Sequence, residues 1–95
     1  MSIKVIIKRH VPKNLSKELA PLLQQLRTLA ISDPAYISGE TLKRVDGHGE
    51  YLVISTWQSL NDWKRWTNNR ERRAIQAKID MLLREPTEYT VYQNA

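Results

Sequence analysis

The sequence predicts an α+β domain whose elements follow the order β, α, β, β, α, β. Three observations carry this. Short runs rich in Val and Ile alternate with longer runs whose leucines recur at helical spacing. A glycine-flanked turn, Asp46-Gly47-His48-Gly49, joins the two middle strands as a hairpin. The chain has 95 residues, 41% hydrophobic and 26% charged, enough for one core and too short for two. One domain over residues 1–95 is expected.

The first strand is residues 3–9, closed by Pro12. Asn14 and Ser16 both offer N-caps for the helix that follows. Leu15, Leu19, Leu22, Leu26 and Leu29 form its apolar stripe, widened by Leu23 and Ala30. Pro21 removes one backbone hydrogen bond, so a kink or a helix start near it is expected. Ser32-Asp33-Pro34 stops the helix. Tyr36 to Val45 reads as the second strand, with Gly39 marking a bulge or a close approach. The third strand is Glu50 to Trp57. Ser59-Leu60-Asn61-Asp62 resembles a capping box and opens a short helix with Leu60, Trp63 and Trp66. After the break Thr67-Asn68-Asn69, a further helix runs to about Arg84 with Ile75, Ile79 and Leu82 on one face. Pro86 ends it, and Thr87 to Gln93 is the last strand. This order favours a ferredoxin-like, four-stranded antiparallel sheet with the helices packed on one face.

With helices on one face, the other face should be wet and the strands should alternate apolar and polar. Val5-Ile6-Ile7 and Tyr51-Leu52-Val53-Ile54 are instead apolar in both phases. A second copy of the same sheet is the simplest cover, so a homodimer is expected.

Composition excludes several chemistries. There are no cysteines, hence no disulfide framework, thiolate metal site or cysteine nucleophile. No leader-like stretch or membrane span is present, which reads as a soluble cytoplasmic protein with no membrane partner. No HxxxH, HExxH, GxGxxG or P-loop occurs, so no metal, nucleotide or other cofactor is expected. Net charge is +5, and residues 64–84 hold seven basic side chains against two acidic ones. Arg70, Arg73 and Arg84 fall opposite the apolar face, which reads as solvated charge. An RNA-recognition domain shares the element order but needs aromatics on its first and third strands in a defined pattern. Residues 3–9 have none, so nucleic acid is not an expected partner.

Three Trp and four Tyr accompany no Phe. Trp57, Trp63 and Trp66 lie within ten residues. Each alone is an ordinary core residue; together they suit the wall of a cavity for a small aromatic molecule. His10 ends the first strand and is a candidate base or proton donor, whereas His48 sits in an exposed turn.

The chain resembles the antibiotic biosynthesis monooxygenase (ABM) domain family of the dimeric α+β barrel superfamily. Ser38-Gly39-Glu40-Thr41-Leu42, then Ser55-Thr56-Trp57-Gln58-Ser59, then Trp63, Trp66 and Arg70 carry the resemblance. It implies a homodimer of facing sheets, a pocket between each sheet and its own helices, and cofactor-independent oxidation of aromatic or quinol-like substrates by O2. On that reading Trp66, Trp63, Tyr51 and Arg70 bind substrate, and Lys8 or His10 serves catalysis. A non-enzymatic module that binds or senses a small molecule is the alternative. The haem-degrading branch is not expected. Trp66 matches its Trp, but Lys8 stands where that branch has Asn and Gln76 where it has the iron-ligating His.

Overall fold

In the computed structural model, which describes residues 1–95, the first strand β1 (Ile3–His10) alternates along its whole length. Ile3, Val5, Ile7 and Arg9 are buried on one face, while Lys4, Ile6, Lys8 and His10 take the other. A 3₁₀ turn (Lys13–Leu15) leads into α1 (Ser16–Ser32). The hairpin strands are β2 (Tyr36–Lys43) and β3 (Glu50–Trp57). The second crossover is made by α2 (Leu60–Thr67) and α3 (Arg70–Leu83), and β4 (Glu88–Gln93) follows. The strand order is β2-β3-β1-β4 with every pairing antiparallel. This is the ferredoxin-like α+β arrangement that the order of elements predicts, with all helices on one face.

Register decides which side chains share a face. Ile7 lies opposite Val53 on β3 and Tyr89 on β4; Ile3 lies opposite Trp57; Arg9 lies opposite Tyr51. Trp63 and Trp66 of α2 pack on this face against Ile3, Val5, Ile7 and Trp57. A second cluster joins Val11, Leu19 of α1 and Ile79 of α3. Val5, Leu19, Trp57 and Ile79 are fully buried. Large apolar side chains of this kind contribute about 1.5–3 kcal/mol each on burial.

Most of the α1 stripe is only half buried. Leu19 is enclosed, but Leu22, Leu23, Leu26 and Leu29 are not. The helix packs chiefly on α3 and lightly on the sheet, which leaves space beneath it. Its N-terminus differs from expectation. Leu15 occupies the cap position without a side-chain bond, and the Ser16 hydroxyl donates back to the Lys13 carbonyl at 3.0 Å. Asn14 is taken up in the 3₁₀ turn. The helix runs through Pro21, whose missing N–H falls on the exposed side.

Two strand ends also differ. β2 stops at Lys43, because Val45 is already fully exposed in the turn. Thr87 precedes β4 and spends its hydroxyl on Asp80 instead. A register shift between Tyr36 and Ser38 is the predicted irregularity beside Gly39. A Cβ at Gly39 would collide with the Tyr36 hydroxyl, so the glycine makes room for that ring. The other face of the sheet presents Ile6 opposite Ile54 and Leu52 opposite Leu42, with no helix over them. No helix is long and apolar enough to cross a membrane.

Candidate functional site

The space between α1 and the inner sheet face is a cavity of about 760 Å³. That is within the roughly 300–1,000 Å³ of small-molecule sites. Ile7, Arg9, Tyr51, Val53, Ser55 and Trp57 form the sheet wall; Leu19, Leu23 and Leu26 lie on the α1 side; Trp63, Trp66, Arg72, Gln76 and Tyr89 complete it.

One part is an aromatic array. Trp57 stacks on Trp66 with centroids 5.4 Å apart and planes at 29°. Tyr36 and Trp63 meet Trp57 edge-on at 5.4 and 5.7 Å. The Trp57 indole N–H donates to Ser55 Oγ at 3.1 Å, which settles its one polar atom. Trp63 in turn touches Tyr89 at 5.6 Å. The placement follows from local sequence. The Ser59 side chain accepts from the Asp62 N–H and donates to its carboxylate, starting α2 where the sequence predicts. Trp63 and Trp66, three apart, then share one face of that helix. The same Ser59 hydroxyl, followed by Arg65, holds the Asp62 carboxyl below its ordinary value.

The other part is polar and enclosed. Arg72 on α3 donates to the Thr67 carbonyl at 3.2 Å and to Tyr89 Oη at 2.5 Å. Its guanidinium lies over the rings of Tyr89 and Trp63 at 5.3 and 6.0 Å. Gln76 Nε2 donates to Asp80 Oδ1 at 2.9 Å and to Thr87 Oγ1 at 2.7 Å, and Thr87 donates to the same Asp80 oxygen at 2.8 Å. Arg9 has no such support. Its Nε and Nη2 are buried without a hydrogen-bond partner, as is Gln76 Oε1. Arg9 and Arg72 are equally enclosed, each 6% exposed. Burial pulls the Arg9 guanidinium below its ordinary value, opposed by its neighbours Tyr89 and Asp80. Burial pushes the Tyr89 phenol up against the pull of Arg72 and Arg9, so it stays protonated at neutral pH.

Of the residues singled out from sequence, Trp63, Trp66 and Tyr51 lie together on the cavity wall. Lys8 and His10 do not reach it. Strand alternation turns both to the opposite face, where Lys8 pairs with Glu50 at 3.6 Å. Arg70 is exposed at the start of α3, apart from the cavity. Sequence reasoning missed Arg9, Arg72, Gln76 and Tyr89. The signals were present. Arg9 is in phase with Ile3, Val5 and Ile7, and Arg72, Gln76 and Ile79 are spaced for one helix face. The basic stretch 64–84 is therefore solvated except at Arg72, which is buried. No group of three or more His, Cys, Asp or Glu side chains gathers as a metal site.

The same fold occurs widely among solved structures. A conserved protein from Methanosarcina mazei Go1 superposes with a TM-score of 0.90 at 15% identity, over 100% of this chain and 94% of that one. Rv0793 from Mycobacterium tuberculosis gives 0.86 at 18%, over 100% and 96%. SnoaB, a cofactor-independent oxygenase from Streptomyces nogalater, gives 0.84 at 12%, over 98% and 92%. At these identities the likeness is one of fold. Comparison with curated proteins gives no match. The sequence model for antibiotic biosynthesis monooxygenase matches residues 2–78, most of the chain, and it spans β1 through the greater part of α3, including Arg9, the aromatic array and both Arg72 and Gln76. The chain belongs to the antibiotic biosynthesis monooxygenase family.

Proposed function

We propose that this chain is a small-molecule oxygenase that oxidises an aromatic, quinol-like substrate with O2 in the cavity, without a cofactor. The observation that carries the reading is the junction of the aromatic array with the Arg72–Tyr89 pair. Tyr89 Oη accepts from Arg72, so its own O–H is left to donate. A substrate ring packs on Trp63 and Trp66 beside Tyr51, with its phenolic oxygen toward Tyr89. The Arg72 guanidinium favours the phenolate, and the substrate proton leaves to solvent. The electron-rich ring then reduces O2. A C–O bond forms at a ring carbon that bears hydrogen, the O–O bond breaks, and the second oxygen leaves as water. One phenol and one O2 give one quinone and one water. Orientation, a donor aimed at the oxyanion and exclusion of water are the contributions of the protein. Family membership and the likeness to SnoaB support this reading.

The active unit is a homodimer in which the faces carrying Ile6, Leu52 and Ile54 meet. Three apolar residues clustered on a helix-free face support this.

Oxygen-electrode measurements with naphthalenediols and anthrone test the reaction. Enzyme-dependent uptake should match quinone formation mole for mole. Tyr89→Phe should lower turnover about a hundredfold, the usual cost of one oxyanion donor. Uptake no faster than autoxidation across the panel would sink the oxygenase reading and leave a module that only binds its aromatic ligand.

A further inference from the structure

We propose that Arg9 is the recognition group for a carboxylate, so that the cavity takes an aromatic acid. The inference rests on the reading of the cavity as a small-molecule site and adds the class of molecule.

Arg9 and Arg72 are the two buried arginines, and they are treated differently. Arg72 is bonded to Thr67 and Tyr89. Arg9 takes no part in the ion pairs of the chain, which use Lys8, Arg44, His48 and Arg65. The one carboxylate whose charge reaches it from the interior, Asp80, is held elsewhere by Gln76 and Thr87. The orphaned nitrogens of Arg9 are Nε and Nη2. These two N–H groups lie on one edge of the guanidinium and point the same way. That edge is the one that receives both oxygens of a carboxylate side-on. A buried cation with its bidentate edge unmet is costly, and native proteins keep such groups where a ligand uses them.

The surroundings fit an aromatic acid. Arg9 lines the cavity two residues along β1 from Ile7, which lies opposite Val53 and Tyr89. A ring laid over Ile7 and Val53 runs from Arg9 toward Trp63. Because Nε and Nη2 are screened from solvent, the guanidinium turns toward the cavity as the acid enters.

Isothermal titration calorimetry with 2-naphthoic acid and its methyl ester tests this without turnover. The unaltered protein should bind the acid roughly tenfold to a hundredfold more tightly than the ester, as expected for a charge-assisted bidentate contact. Arg9→Met should erase that preference and leave ester binding unchanged. Equal binding of acid and ester by the unaltered protein overturns the proposal whatever the variant does. An acid preference that survives in Arg9→Met, or in Arg9→Gln, overturns it too. If neither probe binds, the cavity reading falls and the proposal with it. Tight acid binding without oxygen uptake sinks the oxygenase reading alone.

Discussion

Replacing either of the two enclosed arginines by Met should change stability in opposite directions. Both are 6% exposed, and Met fills comparable space without polar atoms. At Arg9 the substitution removes two buried N–H groups that have no partner. An unmet buried donor costs about 1–3 kcal/mol, and more when charged. Replacing buried charge by apolar volume commonly gains about 1–4 kcal/mol. Arg9→Met should therefore stabilise by about 2 kcal/mol, a rise in Tm of roughly 10 °C for a domain of this size. At Arg72 the same change breaks two charge-assisted bonds, to Thr67 O at 3.2 Å and Tyr89 Oη at 2.5 Å. It also removes the stacking over Tyr89 and Trp63. Charged hydrogen bonds contribute about 1.5–3 kcal/mol and a cation–π contact about 0.5–2. With relief of the buried charge set against these, Arg72→Met should destabilise by about 2–3 kcal/mol. Urea unfolding followed by far-UV circular dichroism, at one protein concentration, reads both as shifts of midpoint at constant slope. Two shifts of the same sign would refute the argument that partnering, rather than burial, separates these residues.

Gly49→Ala should cost more than Gly47→Ala, although both glycines have positive φ, +72° and +81°. At Gly47 a Cβ meets nothing, so only the backbone cost of roughly 1–2 kcal/mol applies. At Gly49 it meets the Val11 carbonyl oxygen at 2.8 Å and disturbs the Val11 N–H to Gly49 bond, so urea midpoints should separate the two by at least another ~1 kcal/mol. In Ser59→Ala, an NMR titration should find the Asp62 carboxyl returned toward 3.8, since the Ser59 hydroxyl is the main cause of its depression. A depressed carboxyl contributes stability above its ordinary pKa and loses it as pH falls through the folded one. The unaltered protein should thus lose this contribution below pH 3.8, and the variant should show less acid dependence there. Finally, Ile54→Lys on the helix-free face should shift sedimentation equilibrium from the mass of two chains to that of one; a variant that remains paired would place the interface elsewhere.

The order of elements was legible because each rests on a strong local signal. Val and Ile mark β1, two glycines mark the hairpin, and Ser59 with Asp62 marks the start of α2. The α1 cap was misread because Asn14 and Ser16 are equally good by type, yet Asn14 lies within the 3₁₀ turn and Ser16 is already the first residue of α1, its hydroxyl turned back to Lys13. The cavity was half legible. Trp63 and Trp66 advertise themselves by proximity in sequence, but Arg9, Arg72 and Gln76 look like surface residues until phase is considered. In β1 the phase was obscured by Ile6, which is apolar but faces away from Ile7. Lys8 and His10, singled out by residue type and by the resemblance, lie one step out of phase with Ile7 and Arg9, on the opposite face. No sequence signal reported that α1 stands off the sheet, since its leucine stripe is the same whether it meets a core or roofs a hollow.

All three tryptophans of the chain belong to one array on the cavity wall. The indole emission of this protein is therefore the emission of its cavity, with no remote tryptophan to dilute it. Trp57 and Trp66 are near enough, at 5.4 Å, to exchange excitation, so an occupant that disturbs one is registered by both. The molecule carries its own optical reporter at the place where its chemistry is expected, and an unlabelled ligand can be followed there by light alone.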